Sequence, residues 1–321
     1  MAVNIGITNE VGLCTEACIV RRIEMTKEQF DALVALEANR NGLTAQSLSE
    51  KTHVCLSKAE KLLDDLTEKE LVSDGVITEK GLEALEPYKT RRAIFIAAGM
   101  GSRLRPVTLQ TAKPLVKVNG VRIIDTLIDG VMAAGIEEIY VVCGYLGEQF
   151  RQLKEKYPNI RLVTNNMYNE ANNISSAYLV RDLLQNAYIS EADLLLHNQV
   201  FDKYVFQSCY LGIPTDETDD WYFKTDDRGI ICELGIGNKD CYRMLGISYW
   251  DREDGAKLPE HIAATFAMPG GKDEDWCYVP LVSYKKEYQV HVRECAMEDI
   301  EEIDTYEELC AIDSSYIDYG K

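Results

Sequence analysis

The sequence is most informative first for what it lacks. No run of about 18 apolar residues occurs in its 321 positions, so no segment suits a membrane-spanning helix. No basic stretch followed by an apolar one opens the chain, so no secretory leader is legible and a cytoplasmic protein is expected. Cations are scarce: 34 Lys+Arg stand against 53 Asp+Glu, a formal charge of −19. A diffuse nucleic-acid-binding surface is therefore disfavoured, because phosphate contacts draw on Lys and Arg in excess. A small anionic ligand needs only a few local cations and backbone N–H groups, and stays open. The four histidines, His53, His197, His261 and His291, stand in no triad-like context. Cysteines are more numerous, at positions 14, 18, 55, 143, 209, 232, 241, 277, 295 and 310, but form no C-x-x-C pair and no Cys/His zinc spacing. Scattered thiols of this kind suit a reducing compartment. With 46% hydrophobic and 27% charged residues, wholesale disorder is excluded.

Three segments are expected. Residues 1–25 form an N-terminal extension, with a weak strand-like alternation at Val3-Asn4-Ile5-Gly6-Ile7. Residues 26–90 carry helical patterning. Thr26 and Gln29 fit a capping box, and Phe30, Leu33, Val34 and Leu36 make an apolar stripe. A short helix at 44–49, a third from Leu56, a hairpin at 71–78 and a last helix from Thr78 complete a pattern that resembles the winged helix-turn-helix module. Its third helix offers Lys58 and Lys61 but also Glu60, Asp64, Asp65 and Glu68, and residues 1–90 hold 10 basic against 16 acidic residues. That balance speaks against DNA binding and for a regulatory or protein-interaction role.

From residue 91 to 321 the pattern changes. Ala93 to Ala98 is a continuous apolar run ending in glycine, as in a buried parallel strand. Helices at 123–134, 146–157 and 175–185 alternate with strands at 138–143, 160–163 and 187–189. This order predicts an α/β, Rossmann-like doubly wound domain. After its first strand comes Ala97-Ala98-Gly99-Met100-Gly101-Ser102-Arg103-Leu104-Arg105-Pro106, then Lys113-Pro114. Glycines allow a sharp turn and close approach to a ligand, and the loop's N–H groups make an anion cradle. The spacing is neither a Walker A motif nor the G-x-G-x-x-G fingerprint, since Leu104 stands where the third glycine is due.

G-x-G-x-R-x-x-P followed by K-P resembles the signature loop of the nucleotidyltransferases that activate sugar phosphates and phospho-alcohols. The stretches 142–150, 172–179, 188–193, 246–251 and 302–304 are similar to those of bacterial CTP:phosphocholine cytidylyltransferases, over roughly residues 92–315. The resemblance implies that Ala97, Ala98, Gly99, Gly101, Ser102 and Arg103 hold CTP phosphates. It implies that Lys113, with Arg103, stabilises charge at the α-phosphate. It places Gly144, Tyr145, Asn172 and Ser175 in segments bordering the nucleoside. Asp193 and Asp304 would hold Mg²⁺, with Glu191 as a supporting acid. Mg²⁺ favours oxygen ligands, one or two carboxylates among them. Asp304 also fits the N-cap of a helix from Tyr306, and Asp193 a turn residue.

The expected reaction transfers CMP from CTP to phosphocholine, giving CDP-choline and pyrophosphate. A phosphate monoester is already a nucleophile, so no general base is required. All three tryptophans lie beside carboxylates, in Asp219-Asp220-Trp221, Tyr249-Trp250-Asp251 and Asp275-Trp276-Cys277-Tyr278. Aromatic faces with nearby carboxylates suit a quaternary ammonium. The resemblance puts Trp221 and Trp276 near choline, joined by Tyr278, with Glu302 supplying charge; Trp221 and Trp250 also fit a sheet core. The expected partners are CTP and phosphocholine, without nucleic acid or membrane; a homodimer is compatible with the chain. Two alternatives stay open: another phospho-alcohol or sugar 1-phosphate as acceptor, and a nucleotide-sensing DNA-binding regulator.

Overall fold

The computed structural model describes residues 25–319, so the expected extension up to residue 24, with its strand-like alternation, lies outside the described residues. The chain divides into two compact units between Ala84 and Leu85. The first contains α1 (Lys27–Ala38), α2 (Ala45–Thr52), α3 (Leu56–Glu68), a hairpin of β1 (Val72–Ser73) and β2 (Val76–Ile77), and α4 (Glu79–Leu85). Thr26 and Gln29 close the capping box on α1. Phe30, Leu33 and Leu36 are buried, while Val34 sits at the half-exposed margin of the stripe. On α3, Ala59, Leu62 and Leu66 face inward, and Lys58 is paired to Glu28.

The second unit follows the chain as β3 (Arg92–Ala97), β4 (Lys117–Val118), β5 (Val121–Arg122), α5 (Ile123–Ala133), β6 (Glu138–Cys143), α6 (Leu153–Lys156), β7 (Arg161–Thr164) and α7 (Ile174–Val180). It continues with β8 (Ala187–Glu191), β9 (Leu194–Leu196), β10 (Cys209–Thr225), β11 (Ile231–Trp250), α8 (Arg252–Ala267), β12 (His291–Glu294), β13 (Ile300–Glu302) and α9 (Tyr306–Ile312). One sheet runs in the order β12-β10-β11-β8-β3-β6-β7. Alternation along β3 feeds two cores. Ala93, Phe95 and Ala97 pack toward Ile124, Leu127 and Val131 of α5 on one face. Ile94 packs toward Ile174 and Ala177 of α7 and Leu258 and Ile262 of α8 on the other.

Helices thus cover both faces, as a doubly wound domain requires, but the sheet is mixed. β3, β6, β7 and β8 are parallel, whereas β11 is antiparallel to β8 and to β10. Two expected helices are shorter than their patterns. The 146–157 segment is a 3₁₀ turn over Gly147–Gln152 followed by the single turn α6, and the 175–185 segment passes from α7 into a 3₁₀ turn at Arg181–Leu183. Among the described residues no helix is long and apolar enough to cross a membrane.

Candidate active site

β3 and β8 are parallel neighbours, with Ile96 beside Glu191. Their carboxyl ends therefore deliver the glycine loop at 98–103 and the acids Glu191 and Asp193 to one place, where open α/β sheets bind ligands. A second strand pair completes the site: β13 runs antiparallel to β9, Glu302 opposite Leu194, and carries Asp304 up beside Asp193. A cleft of about 610 Å³ opens between them. Ala97, Gly99, Gly101, Ser102, Arg103 and Lys113 wall one side, while Asn172, Asp193, Trp221, Glu302 and Asp304 wall the other.

The loop closes on its lysine because Gly101 is a glycine. It sits at φ +57°, and a Cβ there would lie 2.9 Å from the Lys113 Cβ. The Thr108 hydroxyl donates to the Gly101 carbonyl at 2.7 Å, and the Tyr145 hydroxyl donates to the Thr108 carbonyl at 3.0 Å. Tyr145 thus braces the loop from behind and does not wall the cleft. Gly144 makes room for Tyr168, whose Cβ would be 2.6 Å from a Cβ at 144. Beside the loop, a pocket of about 130 Å³ is lined by Ala98, Asn172 and Ser175 together with Asn165, Tyr168 and Ser176. Its buried polar groups are satisfied: the Asn165 amide donates to the Ser175 and Ser176 hydroxyls at 2.9 and 3.0 Å.

The centre of the cleft is an ion cluster. The buried Lys113 ammonium donates at 2.8 Å to both Asp193 Oδ2 and Asp304 Oδ1, and the exposed Arg103 guanidinium reaches the same Asp304 oxygen at 2.8 Å. Burial opposes the charge on Lys113, but Asp193 and Asp304 outweigh it and hold the ammonium above its ordinary pKa. Burial, then Asp193, Glu302 and Asp275, push the Glu191 carboxyl well up; burial, then Asp193, Asp304 and Asp220, push Glu302 up to about 8. Carboxylate oxygens of Glu191, Asp193 and Glu302 all lie within 4.8 Å of one another. Asp193 Oδ1 is buried without a hydrogen-bond partner, a costly state for a carboxylate oxygen.

The group of Glu191, Asp193 and Glu302 fits a hard divalent cation, with oxygen ligands only and one of them orphaned. Asp193 belongs to both pairings, with Asp304 around Lys113 and with Glu191 and Glu302 in the acidic group. Asp304 is not spent as a helix cap. Thr305 takes that position on α9, and the Asp304 backbone N–H donates to Glu308. Asp193 lies between β8 and β9 and caps no helix.

A smaller pocket of about 60 Å³ adjoins the cleft. Trp221, Trp276 and Tyr210 supply its aromatic wall, and Glu191, Asp220, Asp275 and Glu302 its acidic wall. Trp276 is 4% exposed, stacked on Tyr210 at 6.2 Å and edge-on to Trp250 at 5.8 Å. Tyr278 does not line the pocket; it packs edge-on against Trp221 at 5.8 Å. Trp250 is a core residue, wholly buried, and Asp251 caps α8 by accepting the Glu253 and Asp254 N–H groups. The Tyr249-Trp250-Asp251 segment is therefore structural and takes no part in this pocket. Asn173, Tyr168 and Tyr210 were not legible as site residues, since no spacing in the sequence marks them.

Residues 92–205 match the model of the family described as Nucleotidyl transferase. A 2-aminoethylphosphonate cytidylyltransferase of Lancefieldella rimae is 38% identical over 229 residues, covering 70% of this chain and 93% of the relative. A choline-phosphate cytidylyltransferase of Streptococcus pneumoniae is 35% identical over 218 residues, covering 68% of this chain and 94% of the relative. The solved structure of the CTP:phosphocholine cytidylyltransferase from Streptococcus pneumoniae is similar at a TM-score of 0.65 and 34% identity, over 70% of this chain and 99% of that one.

Proposed function

Because the chain belongs to the nucleotidyl transferase family, as a CTP-dependent cytidylyltransferase of a small phospho-compound, we propose that its acceptor is a phosphate or phosphonate bearing a cationic amine head, with phosphocholine the first reading. The observation that carries this is the pocket beside the cleft, where Trp221 and Trp276 meet Asp220, Asp275 and Glu302. Rings and carboxylates together attract an ammonium. A sugar 1-phosphate asks instead for neutral donors and acceptors around several hydroxyls.

In the proposed reaction an acceptor oxygen attacks the α-phosphorus of CTP. The new P–O bond forms as the bond to the β-phosphate breaks, and pyrophosphate leaves with the electron pair. The acceptor anion is its own nucleophile, so this chain supplies alignment and charge. Backbone N–H groups of the 98–103 loop, Ser102 and Arg103 receive the triphosphate, and Lys113 faces the α-phosphate. Asn172 and Ser175 border the nucleoside, with Gly144 and Tyr145 supporting that side. Asp193 and Asp304 would hold Mg²⁺, which when bound neutralises phosphate charge. Trp221, Trp276 and Glu302 receive the head group, and Tyr278 fixes Trp221.

One feature favours a second reading, 2-aminoethylphosphonate. The pocket is small and offers four carboxyl groups. A primary ammonium has three N–H donors for them, whereas a trimethylammonium has none and is bulkier. The test is pyrophosphate release with Mg²⁺ and CTP, comparing phosphocholine, 2-aminoethylphosphonate and glucose 1-phosphate. Turnover confined to the amine acceptors supports the proposal, and their relative kcat/KM chooses between them. Turnover with glucose 1-phosphate alone would reject it.

A further inference from the structure

Asn173 has a side chain that does not do its local work. It occupies the N-cap position of α7, where Asn normally accepts a hydrogen bond from the first turn, yet it makes no such bond. Its Oδ1 instead accepts the backbone N–H of Trp276 at 2.8 Å, 103 residues along the chain. Its neighbour reinforces the link. The Asn172 N–H donates to the Lys272 carbonyl at 2.7 Å, and its amide donates to the Asp273 carbonyl at 3.2 Å. Three bonds from two adjacent asparagines thus fasten the 272–276 segment, which carries Asp275 and Trp276 into the head-group pocket.

The placement is as distinctive as the bonding. Among the described residues, Asn173 lines the main cleft, the small acidic and aromatic pocket, and the pocket beside the glycine loop. It stands where the nucleotide side and the acceptor side meet. We infer that Asn173 is a positioning residue: from the nucleotide side, its amide oxygen fixes the Trp276 backbone and so the wall against which the acceptor head group binds. This rests on the proposed assignment of that pocket to the acceptor. Asn173 itself is not assigned a contact with the reacting atoms.

Two measurements on Asn173→Ala and Asn173→Asp test the inference in the full-length protein. Asp keeps the oxygen that accepts the Trp276 N–H but sets a carboxylate against Asp275, which the Asn173 amide otherwise steadies, whereas Ala removes both contacts. Asn173→Ala is expected to raise KM for the better of phosphocholine and 2-aminoethylphosphonate by about 3- to 10-fold, the effect of one hydrogen bond. KM for CTP should stay within about twofold. Equal changes in both KM values, or none, would overturn the positioning role. The second measurement needs no turnover: amide hydrogen exchange over 272–278 should quicken in Asn173→Ala and return toward wild type in Asn173→Asp, with β6 unchanged. If wild type turns over neither acceptor while the exchange pattern holds, the pocket assignment fails and the structural link stands. If the exchange pattern is absent, the inference itself fails.

Discussion

At the scale of single residues, the site is a contest between an ammonium and too many carboxylates. Lys113 satisfies one oxygen each of Asp193 and Asp304 and leaves Asp193 Oδ1 buried without a partner. Asp193→Ala is therefore expected to lower Mg²⁺-dependent pyrophosphate release by at least about 100-fold, the scale of losing a preorganised charge contact, with the far-UV spectrum retained. A near-wild-type rate would remove Asp193 from the metal assignment. Glu302 gives a stability signature. A carboxyl raised on folding from 4.5 to about 8 contributes stability fully below the lower value and loses it as pH climbs through the upper one. The ligand-free protein should melt lower at pH 9 than at pH 6, and Glu302→Gln should narrow the gap; an unchanged gap in a pH series of melts would assign the effect to other groups. Much of this cluster was legible, because Gly99, Gly101, Arg103 and Lys113 stand close in sequence with spacing set by one loop. Asn173, Tyr168 and Tyr210 were not, because their roles exist only once distant segments meet.

At the scale of elements, the parallel half of the sheet was legible from apolar runs closed by glycine, and the antiparallel half was not. β10 and β11 are 17 and 20 residues long, yet their middles, around Thr215–Asp220 and Gly235–Asp240, are polar and lack a clean two-residue period. The ribbon also folds back on itself: Tyr222 pairs with both Gly235 and Arg243, with register shifts around it. No local pattern encodes such a bend. α8 was missed as well; Asp251 gives it a sound cap, but Pro259 interrupts the helical pattern. β11 also supplies a test. A Cβ at Gly246 would lie 2.5–2.8 Å from the Glu191 Oε2, Cδ and Cγ, so the whole carboxyl end must move. Gly246→Ala is expected to raise the acceptor KM roughly tenfold, on the scale of about 1–2 kcal/mol for an overpacked contact, and to raise the CTP KM by less, since Glu191 also borders Asp193. Parallel Michaelis curves for the two substrates check the split.

At the scale of the whole molecule, every site residue lies in the unit from Leu85 to Lys321. A chain beginning at residue 85 is expected to keep kcat/KM within about threefold of full length, since the buried core of that unit is its own. A loss of more than tenfold, with a retained melting transition, would instead assign residues 1–84 a direct part in activity. The modular pattern at 26–90 was legible because capping residues and helical stripes are local, whereas its purpose has no local signature. Within the larger unit, the two halves of the site are built differently. The glycine loop and the acids Glu191 and Asp193 hang on β3 and β8, which pair in parallel and pack into cores on both faces of the sheet. Trp221 and Trp276, by contrast, hang on a bent ribbon and a loop. In mechanical terms that pairs a braced frame with a wall built on less regular backbone. On the proposed assignment, substitution of Trp221 or Trp276 would change the fit of the acceptor head group and leave the β3–β8 pairing intact. On the same assignment, the choice of acceptor could be retuned without rebuilding the strands that carry the glycine loop.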